Sequence, residues 1–223
     1  MNLADAQIAV LAENQYQELE LWYPLLRLRE EGVNVVVVGP AEQVYASKLG
    51  YPVRPDIAIG DVDARDLDAV VIPGGFAPEG MRRHRPMIDL VRKVHDQGSL
   101  VAAICHAGWV LASAGIARDR NVTCVALIKD DVINAGGKYV DQAVVRDGNI
   151  ITSRLPSDLP VFCREIVSYL REAPRRGSGK RILDPSKPRT SAVYTHAAQL
   201  SQGPRGTASA DYTTVVKTGQ RVA

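Results

Sequence analysis

Ser99-Leu-Val-Ala-Ala-Ile-Cys105-His106-Ala-Gly-Trp-Val-Leu-Ala-Ser-Ala-Gly115 is the stretch whose reading decides the fold. Leu100 to Ile104 is an unbroken apolar run of the length and type of a buried strand. The pattern then turns helical, with Trp109, Val110 and Leu111 among Ala and Ser, and Gly115 supplies a helix stop. Cys105 therefore falls on a tight strand-to-helix turn, the geometry of a nucleophile elbow. There the side chain stands clear of the sheet, and the helix N-terminus beneath it favours negative charge. A depressed thiol pKa is the expectation. His106 is placed to orient, protonate or polarise, although adjacency does not establish contact with the sulfur. The alternative is a buried structural Cys beside an unrelated His.

Strands and helices alternate on either side of this stretch. Residues 7–12, 34–39 and 69–72 are further continuous apolar strands, the pattern of a parallel sheet covered on both faces. Within residues 13–32, which follow the first strand, Leu21, Leu25 and Leu28 give one apolar helix face ending at Gly32, with Pro24 expected in the first turn or at a bend. Residues 43–48 and 53–59 read as shorter pieces around Gly50-Tyr-Pro52. Residues 86–97 and 158–171 read as helices, and 122–126, 140–145 and 149–153 as strands, the last two a hairpin around Asp147-Gly148. The alternation predicts a doubly wound α/β layer fold. Ligands in such folds bind beyond the carboxyl ends of the strands, where Glu20, Gly74, Gly75 and Cys105 all fall.

Composition narrows the classes. No apolar run reaches the length of a transmembrane helix, and the N-terminus has neither the basic region nor the apolar block of a signal peptide. Three cysteines without a CxxC argue against a disulfide framework or a zinc site, so a reduced, cytoplasmic protein is expected, with no metal and no cofactor. The net charge of +2 hides an asymmetry: nine Lys/Arg against two Asp/Glu from Ala173 onward give +7, which leaves −5 for the preceding 172 residues. We therefore expect an α/β domain over 1–172 and a loosely ordered, basic, Pro/Gly/Ser/Thr-rich extension over 173–223. Within the extension, Asp211-Tyr-Thr-Thr-Val-Val216 has a strand pattern. Without a helix-turn-helix pattern or interleaved aromatics, nucleic acid is not an expected partner.

Three separated pieces converge on the elbow. Gly74 and Gly75 follow a core strand, so their backbone can approach a substrate and present an amide N–H. One such N–H, with that of His106, would hold the oxyanion formed when Cys105 attacks a carbonyl. Glu20, just after the first strand, is placed to hydrogen-bond the sulfur or transfer a proton; an exposed helix glutamate is the alternative.

Ala102-Ala-Ile-Cys105-His106, Val71-Ile-Pro-Gly-Gly75-Phe-Ala-Pro-Glu79 and Glu18-Leu-Glu20-Leu-Trp-Tyr-Pro24 resemble the three hallmark blocks of the ThiJ/PfpI superfamily, closest to its PfpI-type intracellular cysteine peptidase branch. Ile128-Lys-Asp-Asp-Val-Ile-Asn-Ala-Gly-Gly137, Tyr139-Val-Asp141 and residues 149–160 continue the resemblance, which covers about residues 7–170. It implies a flavodoxin-like α/β/α sandwich with a mainly parallel sheet, Cys105 as nucleophile and Glu20 as its carboxylic partner. It also implies oxyanion amides from Gly75 and His106, and Glu79 donated to the histidine across a subunit interface. Cys105-His106-Glu79 would then be complete only in a homo-oligomer, a dimer or hexamer. Ala107-Gly108 stands where many members have Gly-Pro, and Gln17 replaces a frequent acid near the pocket.

Three functions fit these residues. Cys105 attacks a peptide or amide carbonyl in a peptidase. In a glyoxalase III or deglycase it adds to methylglyoxal, glyoxal or their early adducts, with Glu20 or His106 moving the proton; a small α-oxoaldehyde suits a buried thiol and carboxylate better than a polypeptide does. In a non-enzymatic stress protein it is an oxidisable sensor, its sulfinate held by Glu20. A glutamine amidotransferase needs a downstream His-x-Glu, and the only later histidine is His196, followed by Ala197-Ala198. An α/β-hydrolase needs Gly-x-Ser-x-Gly where this chain has Ala103-Ile-Cys-His-Ala107. Of the remaining candidates, His84 is expected near the Glu79 loop, His95 on a solvated helix face, and Cys124 and Cys163 in the core.

Overall fold

The computed structural model describes residues 1–180 and 182. Seven strands form one sheet: β1 (Gln7–Leu11), β2 (Asn34–Gly39), β3 (Ile57–Ala58), β4 (Ala69–Ile72), β5 (Leu100–Ile104), β6 (Val144–Asp147) and β7 (Ile150–Ser153). Their spatial order is β6-β7-β5-β4-β1-β2-β3, and every neighbouring pair is parallel except the β6–β7 hairpin. The connections run outward from β1 through β2 and β3, then return to β4 and β5 on its other side. Adjacent β1 and β4 thus mark the switch point where the crevice of such a sheet opens. The fully buried β1, β4 and β5 match the continuous apolar runs that predict a sheet covered on both faces.

Among the described residues six α-helices complete the sandwich: α1 (Glu18–Glu30), α2 (Ala77–Arg83), α3 (Arg85–Asp96), α4 (Gly108–Ala114), α5 (Lys129–Asn134) and α6 (Leu159–Glu172). α1 packs with α6, while α2, α3 and α4 pack on one another. None of the helices among the described residues is long and apolar enough to cross a membrane.

Several boundaries differ from the sequence expectation for identifiable reasons. α1 starts only at Glu18, because Gln15 takes a left-handed conformation (φ 65°) and the Gln17 side chain caps the helix by accepting from the Glu20 amide at 2.9 Å. Pro24 is buried in the helix interior, not in the first turn, and so offers no N–H to the Glu20 carbonyl one turn earlier. The strand expected over 122–126 reduces to Asn121–Val122, paired with Lys138–Tyr139 in a separate ribbon. Beyond it the Thr123 amide donates to the buried Thr152 hydroxyl at 2.8 Å, and a 3-10 turn over Ala126–Ile128 follows. The short pieces near Gly50 become a two-residue ribbon, Tyr45–Ala46 with Pro52–Val53.

After α6 the chain runs along the amino ends of β1 and β4, opposite the carboxyl ends where ligands bind. Buried Asp68 accepts from the amides of Gln7 (3.0 Å), Arg176 (3.1 Å) and Gly177 (2.7 Å), and the Ser178 amide donates to the Arg65 carbonyl at 2.7 Å. The Gln7 side chain donates to the Lys180 carbonyl and accepts from the Ile182 amide. The strand pattern at 211–216 lies outside the described residues. Asp68→Ala strands three amide donors, and is expected to lower unfolding stability by about 2–3 kcal/mol. Denaturant titration reads the stability, and limited proteolysis reads faster cleavage within 173–180.

Candidate active site

Cys105 follows the last residue of β5, a strand held on both sides by pairing of Ala103 with Ile72 and of Ile104 with Ser153. It is 8% exposed and takes φ 62°, a left-handed conformation that costs a non-glycine residue about 1–2 kcal/mol. The turn Cys105–Ala107 is 3-10, and the α-helix proper begins at Gly108. Gly115 ends that helix at φ 73°, the left-handed stop that the sequence calls for.

Glu20, in the first turn of α1, is completely buried. Its Oε2 accepts from the Gly74 amide at 2.8 Å, and its Oε1 is buried without a hydrogen-bond partner. The same carboxyl lies close enough to the Cys105 sulfur for the two groups to shift each other's pKa. Gly74 shows how tightly the elements converge: a Cβ there would lie 2.6 Å from Glu20 Oε2, 2.7 Å from Cys105 Cβ and 2.9 Å from the His106 nitrogen. Gly75 adopts φ 74° and bridges Tyr16, with the Gln17 amide donating to the Gly74 carbonyl (3.2 Å) and the Phe76 amide to the Gln15 carbonyl (2.8 Å). The Gly-Gly loop is thereby stitched to the residues that launch α1. Gly74→Ala is expected to inactivate the site and destabilise the protein by about 1–3 kcal/mol, read by thermal unfolding and by thiol labelling at Cys105.

Burial governs the electrostatics. It raises the Glu20 pKa to about 7, against hydrogen bonds from the Gly74 amide and the Cys105 thiol that pull it down. Burial also pushes the Cys105 thiol up to about 12, with the Glu20 charge as the next cause, while the amides of His106 and Gly75 pull it down. This corrects the depressed thiol pKa expected from the elbow alone. The seven-residue α4 sits behind a 3-10 turn, so its dipole is outweighed by desolvation and by a neighbouring carboxylate.

His106 is half-buried between Trp109 (ring centroids 5.1 Å apart) and Phe76 (6.1 Å). Burial first, then the charge of Lys48, lower its pKa and favour neutral imidazole. Its Nδ1 is buried with no hydrogen-bond partner. Glu79 does not reach it within the chain: it is exposed on α2, 3.8 Å from Arg83 Nη2. The structure thus gathers Cys105, Glu20, Gly74, Gly75 and His106, and leaves Glu79 apart.

His84 lines a neighbouring cleft with Glu79, its Nε2 3.1 Å from Glu13 Oε2. His95 is not the solvated position expected; it is partly buried beside Asp96, with Nε2 unpartnered. Cys124 and Cys163 are buried, and burial raises both thiols to about 12. Sequence reasoning missed Lys48, whose Nζ stands 5.0 Å from the Phe76 ring centroid. Only the tertiary bridge between Tyr16 and Ser47 brings it there, and no local signal carries that information.

Residues 6–169 match the model of the DJ-1/PfpI family. The chain is 46% identical to an uncharacterised Archaeoglobus fulgidus protein, over 74% of this chain and 98% of that one. It is 40% identical to Deglycase PfpI of Pyrococcus furiosus, over 74% and 99%. Drosophila melanogaster DJ-1beta superposes with a TM-score of 0.70 at 32% identity, over 74% of this chain and 90% of that one.

Proposed function

The chain belongs to the DJ-1/PfpI family, and on that premise we propose that it is a cysteine-dependent enzyme acting on small α-oxoaldehydes or their early adducts with amines and thiols. The observation that carries this reading is the fully buried Glu20, with the Gly74 amide on one oxygen and the Cys105 sulfur against the same carboxyl. With a pKa of about 7, Glu20 holds a proton in a substantial part of the population at neutral pH. While it does, its charge no longer opposes the thiolate, and its O–H donates to the sulfur. Thiol and carboxyl titrate as one pair sharing a proton.

The thiolate attacks the aldehyde carbon of methylglyoxal, forming a C–S bond and an oxyanion that faces the His106 and Gly75 amides. The Glu20 proton passes to that oxygen and gives a hemithioacetal. Glu20 or neutral His106 then moves the hydrogen from the former aldehyde carbon to the adjacent carbonyl carbon through an enediol. The first carbon is oxidised to a thioester and the second reduced to an alcohol, so no external redox partner enters. Water hydrolyses the thioester, which returns the thiol and releases lactate. An enclosed thiol and carboxyl suit a substrate of this size, and the deglycase name of a 40% identical relative supports the reading.

The unpartnered Nδ1 of His106 favours a second activity at the same site. Glu79 from a neighbouring subunit would orient that imidazole to protonate a leaving amine, as peptide or amide hydrolysis requires. Lactate formation and peptide-amide hydrolysis measured side by side decide between them. An oligomer mixed from Cys105→Ala and Glu79→Ala subunits is expected to regain activity that neither variant has alone; no recovery would place Glu79 outside the site.

A further inference from the structure

Lys48 is carried on a scaffold shared with the Gly74-Gly75 loop, and its side chain reaches the Phe76 ring beside His106. Its amide donates to the Tyr16 carbonyl at 2.9 Å, and Tyr16 bridges both Ser47 and Gly75. Ser47 Oγ accepts from the amides of Tyr51 (2.7 Å) and Leu49 (3.3 Å), which fixes the turn that carries the lysine. The Nζ lies over Phe76, whose ring packs against His106. Its charge reaches both Glu20 and His106. Lys48 makes no ion pair among the described residues. Glu18, the acid that also feels its charge, is tied to the Leu49 amide at 2.7 Å. An exposed ammonium held over a ring that packs against His106, with no carboxylate in ion-pair contact, is a recognition element for negative charge.

We propose that Lys48 is a specificity-determining residue that selects substrates carrying an oxyanion, a carboxylate or a phosphate, close to the carbonyl that Cys105 attacks. The proposal rests on the reading of Cys105 as nucleophile. It does not require that the aldehyde be the natural substrate. Adducts of α-oxoaldehydes with anionic amines or thiols are the class it points to.

The test is the rate of Cys105 alkylation by iodoacetate relative to iodoacetamide, read by peptide mass spectrometry on the full chain. The two reagents differ little except in charge. The ratio is expected to fall about five-fold in Lys48→Met, to recover in Lys48→Arg, and to fall further in Lys48→Glu. At constant ionic strength, protection of Cys105 by lactate identifies a carboxylate site, and protection by inorganic phosphate a phosphate site. An unchanged ratio in Lys48→Met overturns the proposal, as does failure of both reagents to label Cys105. Labelling needs no turnover, so a protein inactive on aldehydes would still show the ratio, and loss of the ratio would leave lactate formation standing.

Discussion

Cys105→Ala is expected to abolish lactate formation from methylglyoxal, lowering kcat/KM by about 10³-fold or more, with the fold intact. Every step of the proposed chemistry runs through the sulfur, and Cys124 and Cys163 are buried thiols in a β–α connection and in α6 that cannot stand in for it. Alanine keeps the Cβ and the backbone conformation of the elbow, so the expected change in unfolding stability is within about 1 kcal/mol. Retained turnover with a folded variant would remove Cys105 from the reaction.

Glu20→Gln is expected to separate stability from activity. A carboxyl whose folded-state pKa lies above its ordinary value binds more protons folded than unfolded between the two. Wild-type stability therefore falls as pH rises from about 4.5 through about 7, and above that range the penalty is of order 3 kcal/mol. Glutamine cannot ionise, yet its carbonyl can still accept from the Gly74 amide. The variant is thus expected to gain on the wild type as pH is raised from about 5 to 8, by about 5–10 °C in Tm. Turnover should fall by about 10²-fold or more, because the amide has no proton to pass between sulfur and oxyanion. Equal pH dependence of Tm in the two proteins would contradict the raised carboxyl.

The central strands were readable because they are buried along nearly their whole length and their bounds need no long-range information: the runs at 34–39, 69–72 and 100–104 coincide with β2, β4 and β5. The elbow was equally local, since strand, turn and Gly115 stop are contiguous in sequence. What escaped reading depends on contacts between distant segments. The true start of α1 is set by the Gln17 cap and the Gly75 bridge to Tyr16, and the strand expected over 122–126 is diverted by the Thr152 hydroxyl. Glu20 was visible as a residue type, but its complete burial comes from segments distant in sequence, the Gly74 backbone among them. That burial also reversed the expected direction of the thiol pKa, because the local helix-terminus argument contains neither desolvation nor the facing carboxylate.

In the proposed chemistry Cys105, sharing a proton with Glu20, forms a covalent bond to the aldehyde carbon during turnover. Rapid acid quench of the enzyme mixed with isotopically labelled methylglyoxal, followed by peptide mass spectrometry, tests it most directly. A transient mass increase of one methylglyoxal is expected on the Cys105 peptide, present in the first turnover, decaying as lactate appears, and absent in Cys105→Ala. Lactate produced at full rate with no labelled Cys105 peptide at any quench time would contradict it.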